Sequence, residues 1–171
     1  ARGRVPSTLS LPKGFEDAPQ VLAVGGQMKA ALCLVKEGQA LLGHHLGELD
    51  DALTWEAFLQ ANEDYRALFE HKPTIVARDL HPGFRASIYA ESLGLAVAQV
   101  QHHHAHVAAC MAENDWGLGD GKVIGIVADG LGLGDDGTVW GGEILVADYR
   151  DYERVMRLRP AALAGGDAAQ R

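Results

Sequence analysis

Two stretches of this chain, residues 20–44 and 122–158, each read as a run of short apolar strands closed by tight turns. Only the first is followed by helices. Gln20 to Lys36 divides into two strands joined at Gly25-Gly26, Glu37-Gly38 supplies a turn, and Gln39 to His44 gives a third strand. Three consecutive strands with tight turns make an antiparallel meander. Residues 51–71 then set Leu53, Phe58, Tyr65, Leu68 and Phe69 at near-helical spacing, with Pro73 as the stop. Thr74 to Arg78 is a β-branched run, hence a strand; Pro82 to Leu93 is a helix ended by Gly94. Leu95 to Val100 is another strand and His103 to Asn114 another helix. The order β-β-β-α-β-α-β-α predicts a mixed sheet covered by helices.

A second start follows at Lys122. Val123 to Ala128 reads as an apolar strand, Asp129 to Gly137 as turn material, and Thr138 to Tyr149 as a long strand pair with Gly141-Gly142 as a bulge or bend. Val155 to Leu158 adds a further strand. Two lobes that each open with a meander, the second truncated, are the pattern of an α/β actin-like ATPase (ribonuclease H-like duplicated) fold. Trp55, Phe58, Phe69 and Trp140 are core candidates. Both ends read as cut: the chain opens Ala1-Arg2-Gly3-Arg4 without Met and closes on Gly165-Gly166-Asp167-Ala168, a turn opening a helix.

Composition excludes several classes. With 47% hydrophobic and 22% charged residues the 171-residue chain can bury an ordinary core. A formal charge of −8 excludes a nonspecific nucleic-acid binder, which needs a basic face. No apolar run approaches the ~20 residues of a membrane span, and no signal-peptide pattern precedes the first strand. The expectation is a cytoplasmic protein with no nucleic-acid and no membrane partner. Cys33 and Cys110 both sit in apolar contexts and read as small buried hydrophobes of a reducing compartment.

The chemistry concentrates in Gln101-His102-His103-His104-Ala105-His106. His102 and His106 are four apart, so a helix starting at about His102 puts both imidazoles on one face, in reach of one ion. Two imidazoles suit Zn, Fe, Mn or Ni, and a carboxylate completes a set that favours Fe(II) or a related ion. Asp129, ending a strand before Gly130, is the natural third ligand. The competing reading is a solvated helix start with incidental spacing. His103 and His104 point elsewhere, as supporting donors, substrate contacts or simple helix-start residues.

Other segments carry weaker signals. Gly25-Gly26-Gln27-Met28-Lys29 is a glycine hairpin whose N–H groups and Lys29 can meet a phosphate, or a plain turn. Gly130, Gly141 and Gly142 admit the same two readings, and Asp135-Asp136-Gly137 is turn chemistry first and a cation site second. In Asp79-Leu80-His81-Pro82-Gly83, Pro82 fits the first helical turn, while Asp79 is a cap or a ligand and His81 can face a cleft. His44-His45-Leu46-Gly47-Glu48 suits lobe-edge packing or a substrate contact. No Gly-x-Ser-x-Gly elbow or other nucleophile–base set is present, so no catalytic side chain is identified.

Taken together, Gln101 to Cys110, Ala128-Asp129-Gly130 and Gly134-Asp135-Asp136-Gly137-Thr138-Val139-Trp140-Gly141-Gly142-Glu143 resemble the HypF family of hydrogenase-maturation carbamoyltransferases. Ala1-Arg2-Gly3 with Val5-Pro6, Asp79-Leu80-His81-Pro82 and Gly165-Gly166-Asp167-Ala168 match in the same order. The resemblance implies carbamoyl phosphate and ATP as substrates, a carbamoyl-adenylate between them, and transfer to the C-terminal cysteine of a thiol-bearing (HypE-like) partner. That chemistry feeds the cyanide ligands of nickel–iron hydrogenase.

On the same basis residues 1–19 are a linker from a YrdC-like domain and 20–120 the first lobe of a TsaD-like carbamoyltransferase domain. Residues 121–171 are the start of its second lobe. His102, His106 and Asp129 match the family's metal site, for a divalent ion that is Fe, Zn or Mn. Lys29, His81, Gly130, Gly141 and Gly142 are the nucleotide- or substrate-binding candidates. A further metal ligand and more nucleotide contacts are expected beyond residue 171, so the isolated chain need not be active. A small-molecule O-carbamoyltransferase and a noncatalytic docking fragment are the alternatives.

Overall fold

The computed structural model describes residues 8–159 and contains two sheets. The first has six strands: β1 (Thr8–Ser10), β2 (Val21–Ala23), β3 (Cys33–Lys36), β4 (Gln39–Leu42), β5 (Ile75–Asp79) and β6 (Ala96–Val100). They lie in the order β1-β4-β3-β2-β5-β6. β2, β3 and β4 are the antiparallel meander, and β5 and β6 extend it in parallel from β2. Parallel neighbours need long crossovers, and α1 (Ala52–Leu68) and α2 (Arg85–Ser92) occupy them. The expected α/β fold is therefore observed, with this sheet in the ribonuclease H-like order. Its core is apolar and closed, with Leu22, Val24, Leu49, Phe58 and Val76 fully buried.

Helix α1 begins where Asp51 accepts the Thr54 N–H, an N-cap that satisfies one of the otherwise unpaired first-turn donors. Helix α2 starts at Arg85, so Pro82 lies ahead of it instead of in its first turn. The reason is local. Asp79 Oδ1 accepts the His81 N–H and His81 Nδ1 accepts the Gly83 N–H, curling residues 79–83 into their own turn. The free Arg85 N–H goes to Gln27 Oε1, a cap supplied from far away in sequence.

Two other expectations need correcting. The strands either side of Gly25-Gly26 do not form a hairpin there; residues 24–32 make a longer connection. Its backbone hydrogen bonds go across the fold, Val24 N–H to Ala77, Ala30 N–H to Gly47 and Leu49 N–H to Gln27. Gly25 has φ +72, and a Cβ there would sit 2.8 Å from the Ala31 carbonyl, so the turn requires glycine. Nor are residues 1–19 all linker, since Thr8–Ser10 pairs with β4 as an edge strand; residues 1–7 lie outside the described residues.

The second sheet is a three-stranded antiparallel meander, β7 (Val123–Leu133), β8 (Val139–Ala147) and β9 (Tyr152–Arg157), in the order β7-β8-β9. β7 does not stop at Ala128. It runs on through Asp129, with a register break between Ala128 and Gly132. The bulge or bend expected at Gly141-Gly142 is a bulge carried by the facing strand, because three residues of β7 stand opposite Gly141 alone. β8 is one strand, not a pair. The expected match at residues 165–168 lies outside the described residues.

Helix α3 (His102–Glu113) leaves β6 of the first sheet but packs on the second. Val107 and Met111 join Val127, Trp140, Leu145 and Ala147 in a separate core. Gly125 makes the close approach possible, since a Cβ there would fall 2.4 Å from Val107 Cγ2. An expected boundary at residue 120 therefore separates α3 from the sheet it covers.

Candidate metal centre

The parallel pairing of β5 with β6 sets Asp79 beside Val100, at the ends of neighbouring strands. The chain leaves β6 through Gln101, whose side chain accepts the His104 N–H and so caps α3. His102 is thus the first residue of α3 and stands over Asp79. From the other side, the β7 bulge lifts Asp129 towards the same helix end. Three elements converge on one point.

His102 Nε2 lies 2.9 Å from Asp129 Oδ2 and 3.3 Å from His106 Nε2, and His106 Nε2 lies 3.6 Å from Asp129 Oδ2. These donor atoms all fall within 4.8 Å of one another, the only such group of three or more among the described residues. Of the predicted site residues, His102, His106 and Asp129 are the ones the fold brings together.

Asp79 accounts for the orientation. His102 Nδ1 is 2.8 Å from Asp79 Oδ2, and the carboxylate side chain is only 6% exposed. Burial alone would raise the Asp79 pKa, but the hydrogen bonds from His102 and the His81 N–H outweigh it and hold the group below the usual carboxylate range. An ionised carboxylate can only accept, so the hydrogen sits on His102 Nδ1. The same bond, aided by Asp129, raises the His102 pKa against the opposing effect of burial.

Nε2 of a singly protonated His102 then turns a lone pair towards Asp129 Oδ2, a buried oxygen with no hydrogen-bond partner. Acceptors facing one another at these distances demand a cation between them, either a proton on Nε2 or a metal ion. Two imidazoles and a carboxylate with an orphaned oxygen fit a divalent metal. The imidazole–carboxylate pair behind His102 is the usual support of such a ligand.

The other two histidines have structural partners. His103 is fully buried against the Trp140 ring, and burial lowers its pKa, with Asp129 opposing that shift. His104 Nε2 meets the Asp148 carbonyl at 2.6 Å, latching α3 to the β8–β9 turn. Neither joins the ligand cluster.

The remaining candidates are dispersed. Lys29 is exposed on the 24–32 connection with φ 52. His81 stacks on Phe84, ring centroids 4.2 Å apart. Gly141 packs over the Asp129 carbonyl and gives its N–H to Glu143, while a Cβ at Gly142 would strike Leu158. Gly130 is exposed with open space around its Cα. Gly25 and Gly26, not Lys29, line a cavity of about 270 Å³ with Asp79, His102 and His106. A second cavity of about 410 Å³ runs between α3 and β7 and reaches His106 and Asp129.

In the Asp135-Asp136-Gly137 segment, turn chemistry prevails. Asp136 Oδ1 accepts from the Thr138 N–H, the Thr138 hydroxyl and Trp140 Nε1, and Oδ2 accepts from Arg154. The Thr138 bonds lead in holding its carboxyl far below the usual range. Both Asp136 oxygens are thus engaged by protein donors, which accounts for this carboxylate without a cation. Asp79, which sequence reasoning left open between a helix cap and a ligand, caps no helix and faces His102 Nδ1. Its signal was its place at the end of a strand, but its partner came from another strand's exit.

Comparison with known proteins places this geometry in a family. Residues 16–113 match the family described as the HypF Kae1-like domain, and residues 125–171 match the second subdomain of the carbamoyltransferase Kae1-like domain. Carbamoyltransferase HypF of Rhodobacter capsulatus is 67% identical over 99% of this chain, which spans 24% of that relative. A full-length HypF crystal structure, described as phosphate- and nucleotide-bound, superposes with a TM-score of 0.84 at 45% identity, covering 90% of this chain and 20% of that one. HypF of T. kodakarensis superposes at 0.86 with 33% identity, covering 98% and 22%. The chain thus spans about a quarter of the length of the curated relative it matches.

Proposed function

The chain belongs to the HypF carbamoyltransferase family, and from that premise we propose that it supplies the metal-holding part of a carbamoyl-transfer centre. The substrates are carbamoyl phosphate and ATP, joined as a carbamoyl-adenylate. The acceptor is the C-terminal cysteine thiol of a partner protein that matures nickel–iron hydrogenase. The observation that carries this reading is the convergence of His102, His106 and Asp129, with Asp129 Oδ2 buried and lacking a hydrogen-bond partner.

His102, His106 and Asp129 would hold a divalent ion. When bound, such an ion neutralises phosphate oxygens and polarises a carbonyl as a Lewis acid. His102 is fixed by Asp79 and 28% exposed, whereas His106 is 54% exposed and stands at the open side. That asymmetry leaves one flank of the cluster to substrate. The Gly25–Gly26 backbone lines the adjoining cavity without side chains, which suits a group that must approach closely. Burial pushes the Cys33 thiol up to about 11, so it supplies no ready thiolate, whereas Cys110, expected to be buried, is exposed and lines the larger cavity.

Zn²⁺ titration of the chain by calorimetry tests the reading. The wild type should bind one ion, and His106→Ala should lose most of that affinity while its circular dichroism is unchanged. Equal Zn²⁺ affinity in the two proteins would sink the ligand assignment.

A further inference from the structure

Asp79 is tied down at every point except the one that faces His102. The Leu80 N–H meets the Val100 carbonyl at 2.9 Å, locking the end of β5 to the end of β6. The Arg78 guanidinium donates to the Asp79 carbonyl at 2.8 Å and is itself held by Glu91 at 2.7 Å. Carboxylate Oδ1 is taken by the His81 N–H at 2.8 Å. Only Oδ2 remains, and it lies 2.8 Å from His102 Nδ1.

We propose that Asp79 is a positioning residue that makes His102 an Nδ1-protonated, Nε2-donating ligand before any ion arrives. The inference rests on His102, His106 and Asp129 being a metal site. Asp79 is not itself a ligand, because it meets His102 through Nδ1, whereas the cluster forms on Nε2. Fixing the imidazole by its far nitrogen removes two freedoms at once, the ring rotation and the choice of tautomer. It also raises the basicity of the nitrogen that meets the metal. The Asp79-Leu80-His81-Pro82 segment thereby gains a purpose: the 79–83 turn consumes Oδ1 so that Oδ2 can serve only the histidine.

The experiment has two arms on the 171-residue chain. In the first, Zn²⁺ affinity is measured for the wild type, Asp79→Ala and Asp79→Asn. Asp79→Ala should bind about 10–100-fold more weakly, the usual cost of losing such support. Asp79→Asn should fall between, because its amide oxygen can still accept from Nδ1 but carries no charge. In the second, long-range proton–nitrogen spectra read the His102 ring without metal at about pH 9, above the imidazole range. The wild type should show the hydrogen on Nδ1, and Asp79→Ala should shift it towards Nε2, the commoner tautomer of a free ring.

Unchanged Zn²⁺ affinity in Asp79→Ala, or a wild-type ring protonated on Nε2, overturns the proposal. If Asp79→Ala fails to fold, Asp79→Asn decides: affinity equal to wild type overturns it, and a several-fold loss with a retained fold supports it. Failure of the wild type to bind Zn²⁺ at all would strike the metal reading instead, and the ring spectrum would still report on Asp79.

Discussion

The two sheets are held together by different means. The first wraps its core in apolar side chains, with Leu22, Val24, Leu49, Phe58 and Val76 all at zero exposure. The second has a small core and surrounds it with directional contacts: Arg154 lies 4.2 Å over the Trp140 ring and 2.7 Å from Asp136, and Glu143 and His103 are buried beside them. It also leaves Ile124 and Ile126 on the outer face of β7 at 72% and 80% exposure. Apolar burial is non-directional and tolerates small shifts, whereas ion pairs and ring contacts fix angles. The difference teaches where precision is needed. The bulge that presents Asp129 lies in the sheet built from directional contacts, and the first sheet contributes a firm base through Asp79.

This contrast can be broken. If apolar burial holds the first region, Phe58→Ala should cost about 3–5 kcal/mol in urea unfolding, the range for a large buried aromatic. A cost below about 1 kcal/mol, typical of surface changes, would show that the first core is not what stabilises the chain. Gly125→Val tests the join between helix and second sheet. Overpacking against Val107 should cost about 1–3 kcal/mol and, by lifting α3 off β7, weaken Zn²⁺ binding. Wild-type affinity in that variant would mean the ligands do not depend on the close approach.

The smallest effect sharpens the contrast without altering stability. Cys33 lies in the closed first sheet, its thiol raised by burial to about 11, while Cys110 is exposed on α3 beside the larger cavity. Thiolate is the reacting form. A two-unit rise above the ordinary 9.0 leaves about 100-fold less of it at neutral pH, before access is counted. Iodoacetamide should therefore modify Cys110 promptly and Cys33 at least about 100-fold more slowly. Equal labelling rates would mean that the first sheet does not shield the Cys33 thiol.

Much of this was legible along the chain. Alternation and turn residues marked the strands of both meanders, and Pro73 and Gly94 marked helix ends close to where they fall. The His102–His106 spacing predicted two imidazoles on one helix face because that depends only on the helical repeat. The errors share a cause. Gly25-Gly26 looked like a hairpin because glycine marks a turn without saying which strand follows it. Pro82 looked like a helix start until the Asp79 and His81 side chains claimed the local N–H groups. Asp129 looked like a strand end because a bulge shows only in the register against a partner strand.

The sequence by itself determined the local elements, the histidine pair and the family to which they belong, since period, turn chemistry and motif are properties of neighbours along the chain. Tertiary structure alone decided that α3 packs on the second sheet, that Asp129 rises from a bulge opposite Gly141, and that Asp79 stands behind His102. Those pairings join residues from different strands. Their energies depend on distance in space, and only the folded chain sets that distance.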